Sequence, residues 1–325
     1  MNLEQILVNS GAKYRKELLA MPTVALEKTL RHMTLRKGVR GEETVGAYSS
    51  DAEFRPYRTQ KDATDTGKIT GRKLVTYLGD VVEEFDPYQL FSTVYGESFS
   101  SLTDRKEAQV VKDMSLAMAR KASSKLGKAL FKAKRNEGGD TTMDLFNGFD
   151  TIAAEEIAAF KITTALGNLH IHEEITAANA GDVLKAIYSA ASDELRDQAD
   201  EANGVTLKMY IPKAILDKYE EWCLATLGSV AYNQTYKQSK LHCDTNVELV
   251  PMVGLKGSEY IYLSTKENML VGVDQLSDTE KAKIRECDNP KALQFFMALY
   301  WGVQFESIAP ERLLVSRTTA APIAG

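Results

Sequence analysis

Cysteine is scarce in this sequence of 325 residues: there are three, Cys223, Cys243 and Cys287. The number is odd, the spacings are wide, and no C-x-x-C occurs, which excludes a zinc ribbon and a dithiol redox motif and reads as free thiols in a reducing cytoplasm. Long apolar runs are missing too. No stretch approaches the roughly eighteen residues that a membrane-crossing helix needs, so no membrane association is expected. The start, MNLEQILVNSGAKYRK, has no basic stretch followed by an apolar one, so a secretory signal is not expected there. Basic charge is not in excess: the formal net charge is −5. Proteins that grip phosphates through dedicated patches are far more basic, so any contact with DNA is expected to be diffuse and non-specific. Also absent are G-x-S-x-G, H-E-x-x-H, the P-loop, G-x-G-x-x-G, internal repeats and low-complexity tracts.

What is present is the composition of a folded protein, 44% hydrophobic and 26% charged, long enough for one large or two intertwined domains. Residues 1–36 read as short amphipathic helices. Asn2 caps the first, with Leu3, Ile6 and Leu7 on its face; after Pro22, Val24, Leu26 and Leu30 begin another. Glycine then becomes frequent, and two strand-like pieces, ETVGAY (43–48) and KLVTYLGDVVEEF (73–85), flank the polar stretch RPYRTQKDATDTGKITGRK. This predicts an extended β-hairpin. A two-stranded hairpin is marginal alone in water, so a second surface is expected to support it.

The strongest local signal lies at 103–135. Val111, Met114, Met118, Ala122, Leu126 and Leu130 recur at three- and four-residue steps, Asp104 and Glu107 form a capping-box pattern, and Gly138–Gly139 is the expected stop. Such a helix would be on the order of 45–50 Å long at 1.5 Å per residue. Beyond it the pattern predicts a helix over 182–200, with Val183, Ile187, Ala190, Ala191 and Leu195 on its apolar face. A strand over 205–211 and a helix from Pro212 to about Leu227 follow. Strands are predicted at 247–255 and 260–265, a strand or loop at 268–274, and a buried aromatic-rich stretch at 292–305.

Few residues suggest chemistry. His170 and His172 would share one face of a strand, with Glu173 and Glu174 beside them, but no third ligand completes a metal site at a familiar spacing. His242, Cys243 and Ser239 lack the partners that orient a nucleophile. Trp222, Trp301, Phe295, Phe296, Tyr300 and Phe305 read as core. Lys121, Lys125, Lys128 and Lys132 form a basic stripe along the long helix, either a solvated face or a contact with an acidic surface, on a neighbouring subunit or on packaged DNA. Glu83, Glu84 and Asp86, on the hairpin's return strand, are one complement. Lys61, Lys68, Lys73, Glu83 and Glu84 are candidate contacts made by the hairpin.

The order of these pieces resembles the major capsid protein of tailed bacteriophages, the Hong Kong 97-like fold, most closely those of phages of gut bacteria. LFNGFDTI (145–152) is similar to the phrase after the spine helix in that family. LKMYIPKAILDKYEEW (207–222) is similar to its strand, proline and helix, KENMLVGVDQLSD (266–278) to its late N-L-x-x-G-x-D phrase, and FFMALYWGVQF (295–305) to its closing strand. The resemblance implies an α+β fold with an N-terminal arm (1–37), an extended β-hairpin loop (38–98), a peripheral domain with the spine helix (99–179), an axial domain (180–255), and a return to the peripheral domain with a C-terminal tail (256–325). It implies a self-assembling structural protein with no catalytic residues, cofactor or metal. Hexamers and pentamers would form an icosahedral head around double-stranded DNA, built in the host cytoplasm with scaffold, portal or auxiliary head proteins. Some relatives crosslink subunits through lysine–asparagine bonds; no signature assigns one here, and no scaffold-like coiled coil is seen near the N-terminus. Three other readings stand beside it. An encapsulin-type nanocompartment shell shares the fold, and residues 2–20 would then bind cargo. The second is a cytoplasmic metal-dependent enzyme using 170–174, and the third a head-decoration protein, which the chain's size disfavours.

Overall fold

A computed structural model describes residues 26–49, 68–85, 104–198, 206–227, 232–233, 238–274, 282–286 and 293–318. The chain begins there with a single helical turn, α1 (Glu27–Leu30), followed by strands β1 (Thr34–Lys37), β2 (Glu42–Ser49), β3 (Lys68–Val75) and β4 (Tyr77–Phe85). The long helix follows as α2 (Asp104–Lys132), 29 residues, or about 43 Å at 1.5 Å per residue.

The phase of α2 differs from the expectation. Ala119, Ser123, Leu126 and Leu130 are buried, while Met118 and Ala122 are only half-buried. Small residues let the helix approach its neighbours closely, and the one polar member is satisfied internally: Ser123 Oγ donates to the Ala119 carbonyl at 2.6 Å. The helix also stops before Gly138–Gly139. The Lys134 amide donates to Met143 O (2.8 Å) and the Ala133 carbonyl accepts from Gly148 N (2.8 Å), so both groups bind the returning chain instead of continuing the helix.

After a 3-10 turn (Thr142–Asp144) come α3 (Phe149–Ala158), β5 (Leu169–His172), α4 (Ala180–Ser189), α5 (Asp193–Asp197), β6 (Leu207–Pro212) and α6 (Lys213–Leu227). The single helix expected over 182–200 is two. Ser192 breaks it by capping α5, its hydroxyl accepting from Leu195 N at 3.2 Å. The remaining strands are β7 (Tyr232–Asn233), β8 (Gln238–Leu241), β9 (Asp244–Met252), β10 (Tyr260–Ser264), β11 (Met269–Val273), β12 (Ala282–Glu286), β13 (Leu293–Phe305) and β14 (Leu313–Thr318). A 3-10 turn (Val253–Leu255) joins β9 to β10.

The strands form three sheets. A seven-stranded sheet runs β5-β14-β10-β6-β9-β8-β7. A five-stranded sheet runs β1-β11-β13-β12, with β4 on the other side of β13. β2 and β3 pair only with each other. Strands of the large sheet read as near-continuous apolar runs because both faces are covered. Tyr210, Val250, Tyr262, Leu313 and Val315 belong to one core, with Leu126, Leu130 and Phe131 of α2, Phe149 of α3 and Trp301 of β13. Their neighbours Met209, Leu249, Leu263 and Leu314 belong to a second core, with Leu184 and Ile187 of α4 and Tyr219 and Trp222 of α6. The period of two along each strand thus sorts adjacent residues into different cores.

The α+β class is as expected, but the return strand of the hairpin is not. The run 73–85 is two strands. β3 pairs with β2 from Glu42↔Val75 to Ser49↔Lys68, and β4 leaves to pair with β13 from Trp301↔Tyr77 to Leu293↔Phe85. Glu83 and Glu84 therefore sit in the five-stranded sheet rather than on the hairpin. The single residue between the strands, Thr76, is buried and makes the break. Its hydroxyl donates to Val39 O (3.1 Å) and accepts from Gly41 N (3.0 Å), while its own amide donates to Gly41 O (2.7 Å).

Candidate functional site

Two surfaces collect the residues singled out in the sequence: the foot of the β2–β3 hairpin, and a groove between α2 and the five-stranded sheet. The foot lies directly on β11 and β13. There Gly272 and Gly302 are register partners, and the space their side chains would take is filled by the hairpin. A β-carbon on Gly302 would lie 2.1 Å from the Val75 carbonyl oxygen, and one on Gly272 would lie 2.8 Å from the Thr76 methyl. Arg72 of β3 completes the attachment. Its guanidinium pairs with Glu156 of α3 at 2.7 Å, both side chains mostly buried, and donates to Phe305 O (3.1 Å) and Gln304 Oε1 (3.0 Å). Gln304 donates back to Lys73 O at 3.0 Å. At the other side of the foot Arg40 pairs with buried Asp274 at 2.8 Å. Sequence reasoning missed Arg72 and Glu156. They stand 84 positions apart in the chain, and nothing local distinguishes either from an ordinary surface charge.

Of the hairpin lysines, Lys73 is exposed and pairs with Glu42 of β2 at 2.8 Å, and that carboxylate holds its ammonium above the usual lysine range. Lys68 opens β3, with its backbone paired to Ser49. Lys61 and Asp86 lie outside the described residues.

The groove encloses about 820 Å³. One wall is α2, with Lys121, Lys125 and Lys128; the other is β4 and β13, with Val81, Glu83, Met297 and Leu299; the loop bearing Asp140 and Leu145 closes one end. Among the described residues none of these three lysines pairs with a carboxylate, although Glu83 lines the same groove. Glu84 is exposed on β4 and does not line it. Lys132, the fourth member of the stripe, turns elsewhere, into a shallow depression beside Asp150. Asp150 sits in the first turn of α3 and accepts from Ser258 Oγ and Tyr262 Oη, both at 2.6 Å. Burial pushes its carboxyl up, against the pull of those two hydroxyls and of Lys132. Among the described residues three lysines thus have no carboxylate partner, while the fourth lies beside Asp150.

The remaining candidates are structural. His172 is buried and its Nδ1 meets Ser316 Oγ at 2.8 Å; burial, then the charge of His170, lowers its pKa to about 4. Among the described residues no three His, Cys, Asp or Glu side chains are placed to hold a metal ion. His242 packs on the rings of Tyr219 and Trp222. Cys243 is exposed, and burial of its sulfur raises its pKa, the opposite of an activated thiol. Cys287 lies outside the described residues, as does the side chain of Ser239. Trp222, Trp301 and Phe305 are buried in the cores and Phe295 is buried as well, whereas Phe296 and Tyr300, on the opposite face of β13, are half-buried.

No family model matches the sequence, and neither does any curated protein. Solved structures do. A chain of the satellite phage P4 procapsid, a particle including the size determination protein Sid, matches with a TM-score of 0.53 at 12% identity over 91% of this chain and 96% of that one. The capsid of an empty GTA particle matches with a TM-score of 0.55 at 10% identity over 92% and 90%. The cyanophage A-1(L) capsid matches with 0.53 at 14% over 92% of each chain. At such identities the likeness is one of fold, and it runs through nearly the whole of both chains. The chain has the fold of phage capsid proteins.

Proposed function

From that shared fold, we propose that this chain is the major capsid protein of a tailed bacteriophage, whose copies close into an icosahedral head around double-stranded DNA. The observation that carries the reading is the extent of the likeness, about nine-tenths of each chain for three particles of different origin. In this reading the protein is a building block and not a catalyst. Residues 1–37 are an arm, and α2 is the spine of a peripheral domain spanning 99–179. Residues 180–255 make up most of an axial domain that meets its copies in hexamers and pentamers, and 256–325 return to the periphery. Of the extended loop at 38–98, the part that reaches a neighbour is β2, β3 and the residues they enclose, because β4 is committed to the sheet. A long hairpin anchored at one end suits that task, since it gains most of its contacts only when a neighbour arrives. Lys121, Lys125 and Lys128 then meet an acidic surface on an adjacent subunit.

Negative-stain electron microscopy of the full chain, alone and with a candidate scaffold protein, tests the reading. Closed particles or rings of five and six are the expected result; a monomer at every concentration would overturn it. Reversing the charge of the three lysines together (Lys121→Glu, Lys125→Glu, Lys128→Glu) should suppress particles while leaving the melting temperature of the lone subunit nearly unchanged, because all three are exposed.

A further inference from the structure

Helix α3 ends in a Schellman turn. Lys161 N donates to Glu156 O at 2.9 Å and Phe160 N to Ile157 O at 3.0 Å, which places Phe160 one residue beyond the cap with φ +55°. Glycine is the usual occupant of that position, because a β-carbon crowds the backbone in the left-handed region. Phenylalanine strains the turn and gives its own subunit nothing in return, since it is 81% exposed. Leu166, in the same loop, is 54% exposed, and Ile171 on β5 is 46% exposed. Among the described residues β5 is an edge of the seven-stranded sheet, paired with β14 alone, and exposed edges normally carry charge rather than aliphatic side chains.

The loop is held rigidly despite its exposure. Asn168 is buried and donates to Lys161 O (3.0 Å) and Ile308 O (2.8 Å), while its Oδ1 accepts from Thr163 N (2.8 Å). The nearby charges are already committed: Lys161 pairs with Glu156 at 3.2 Å, and Glu156 also pairs with Arg72. The result is an exposed aromatic residue on a strained turn, with exposed Leu166 and Ile171 in the segment that follows it. A rigid aromatic anchor is the kind of group that carries protein interfaces, since little freedom remains to be lost on docking.

We propose that Phe160 is the apolar anchor of a contact between copies of this chain, with exposed Leu166 and Ile171 as further apolar contacts. The inference rests on the shell reading above, which supplies the occupant: many identical subunits, each presenting the same residues to a neighbour.

The test exploits the opposite signs expected for folding and assembly. Phe160→Gly and Phe160→Asn suit a left-handed backbone. Below the assembly concentration, both should melt higher than the unaltered protein, by roughly 2 °C. Both should also need roughly tenfold more protein to form particles, followed by light scattering and microscopy. Phe160→Leu keeps an apolar knob on the same backbone and should assemble near the original concentration. If the glycine and asparagine variants assemble as readily as the unaltered protein, or melt lower, the inference fails while the shell reading stands. If the unaltered protein forms no particle at all, the shell reading fails first and takes the inference with it.

Discussion

Among single residues, the buried histidines set the response to acid. His172 titrates near 6.5 when unfolded and at about 4 when folded. Between those values the unfolded chain takes up a proton that the folded one refuses, so stability is full above pH 6.5, falls as pH drops towards 4, and is unaffected by this group below that. His32, buried over the Lys208–Glu248 ion pair, is shifted the same way, by burial first and by Lys208 and Arg31 against the pull of Glu248. Urea midpoints measured across this range should decline with acidity in the unaltered protein and decline less in His172→Asn; an equal decline in both would remove His172 from the account. The ion pairs of the hairpin divide as burial dictates. Arg72→Ala leaves Glu156 buried without its main partner and should cost about 3–5 kcal/mol. Lys73→Ala breaks the exposed pair with Glu42 and should change stability by less than about 1 kcal/mol. Thermal or urea unfolding of the two variants side by side distinguishes these outcomes.

Among elements, the legible ones were those whose signal is local. The three- and four-residue spacing of α2, the apolar run of β10 and the aromatic run of β13 all lie in consecutive residues, and each was placed within a few positions. The α2 face was misplaced by one residue because Ala119 and Ser123 carry little hydrophobic signal; they are buried for being small. The break at Thr76 was illegible for another reason. KLVTYLGDVVEEF contains no turn residue where β3 ends, and the strand changes partner because of Val39, Gly41 and the glycine pair beneath it. Within the site the lysine stripe was readable from spacing alone, but the divergence of Lys132 towards Asp150 depends on Ser258 and Tyr262, far along the chain. The foot of the hairpin gives this scale its own prediction. Gly302→Ala places a methyl group against a backbone carbonyl that has no rotamer to escape into, and overpacking of this kind costs about 1–3 kcal/mol. Hydrogen exchange at Val75 and Thr76 should accelerate more than exchange in α4, and equal effects at both places would contradict the close approach.

For the whole molecule, the large sheet is the floor of both cores, so neither core can melt and leave the other intact. The chain holds two tryptophans, Trp301 in the first core and Trp222 in the second. Fluorescence of Trp222→Phe and Trp301→Phe therefore follows each core separately, and within each variant it should coincide with loss of secondary structure in a single transition; two separated transitions would show the cores to be independent. The break at Thr76 has a different consequence at this scale. One residue separates a sheet strand from a hairpin strand of eight residues, roughly 27 Å long at 3.4 Å per residue. In the proposed shell the hairpin, its foot held by Arg72, Thr76 and the two glycines, would act as a lever on a short fulcrum. A tilt of about 5° there carries its far end about 2 Å. In the proposed shell, rings of five and of six would ask a subunit for different angles to its neighbours, and gearing of this kind would meet that demand at one joint while both cores stay as they are.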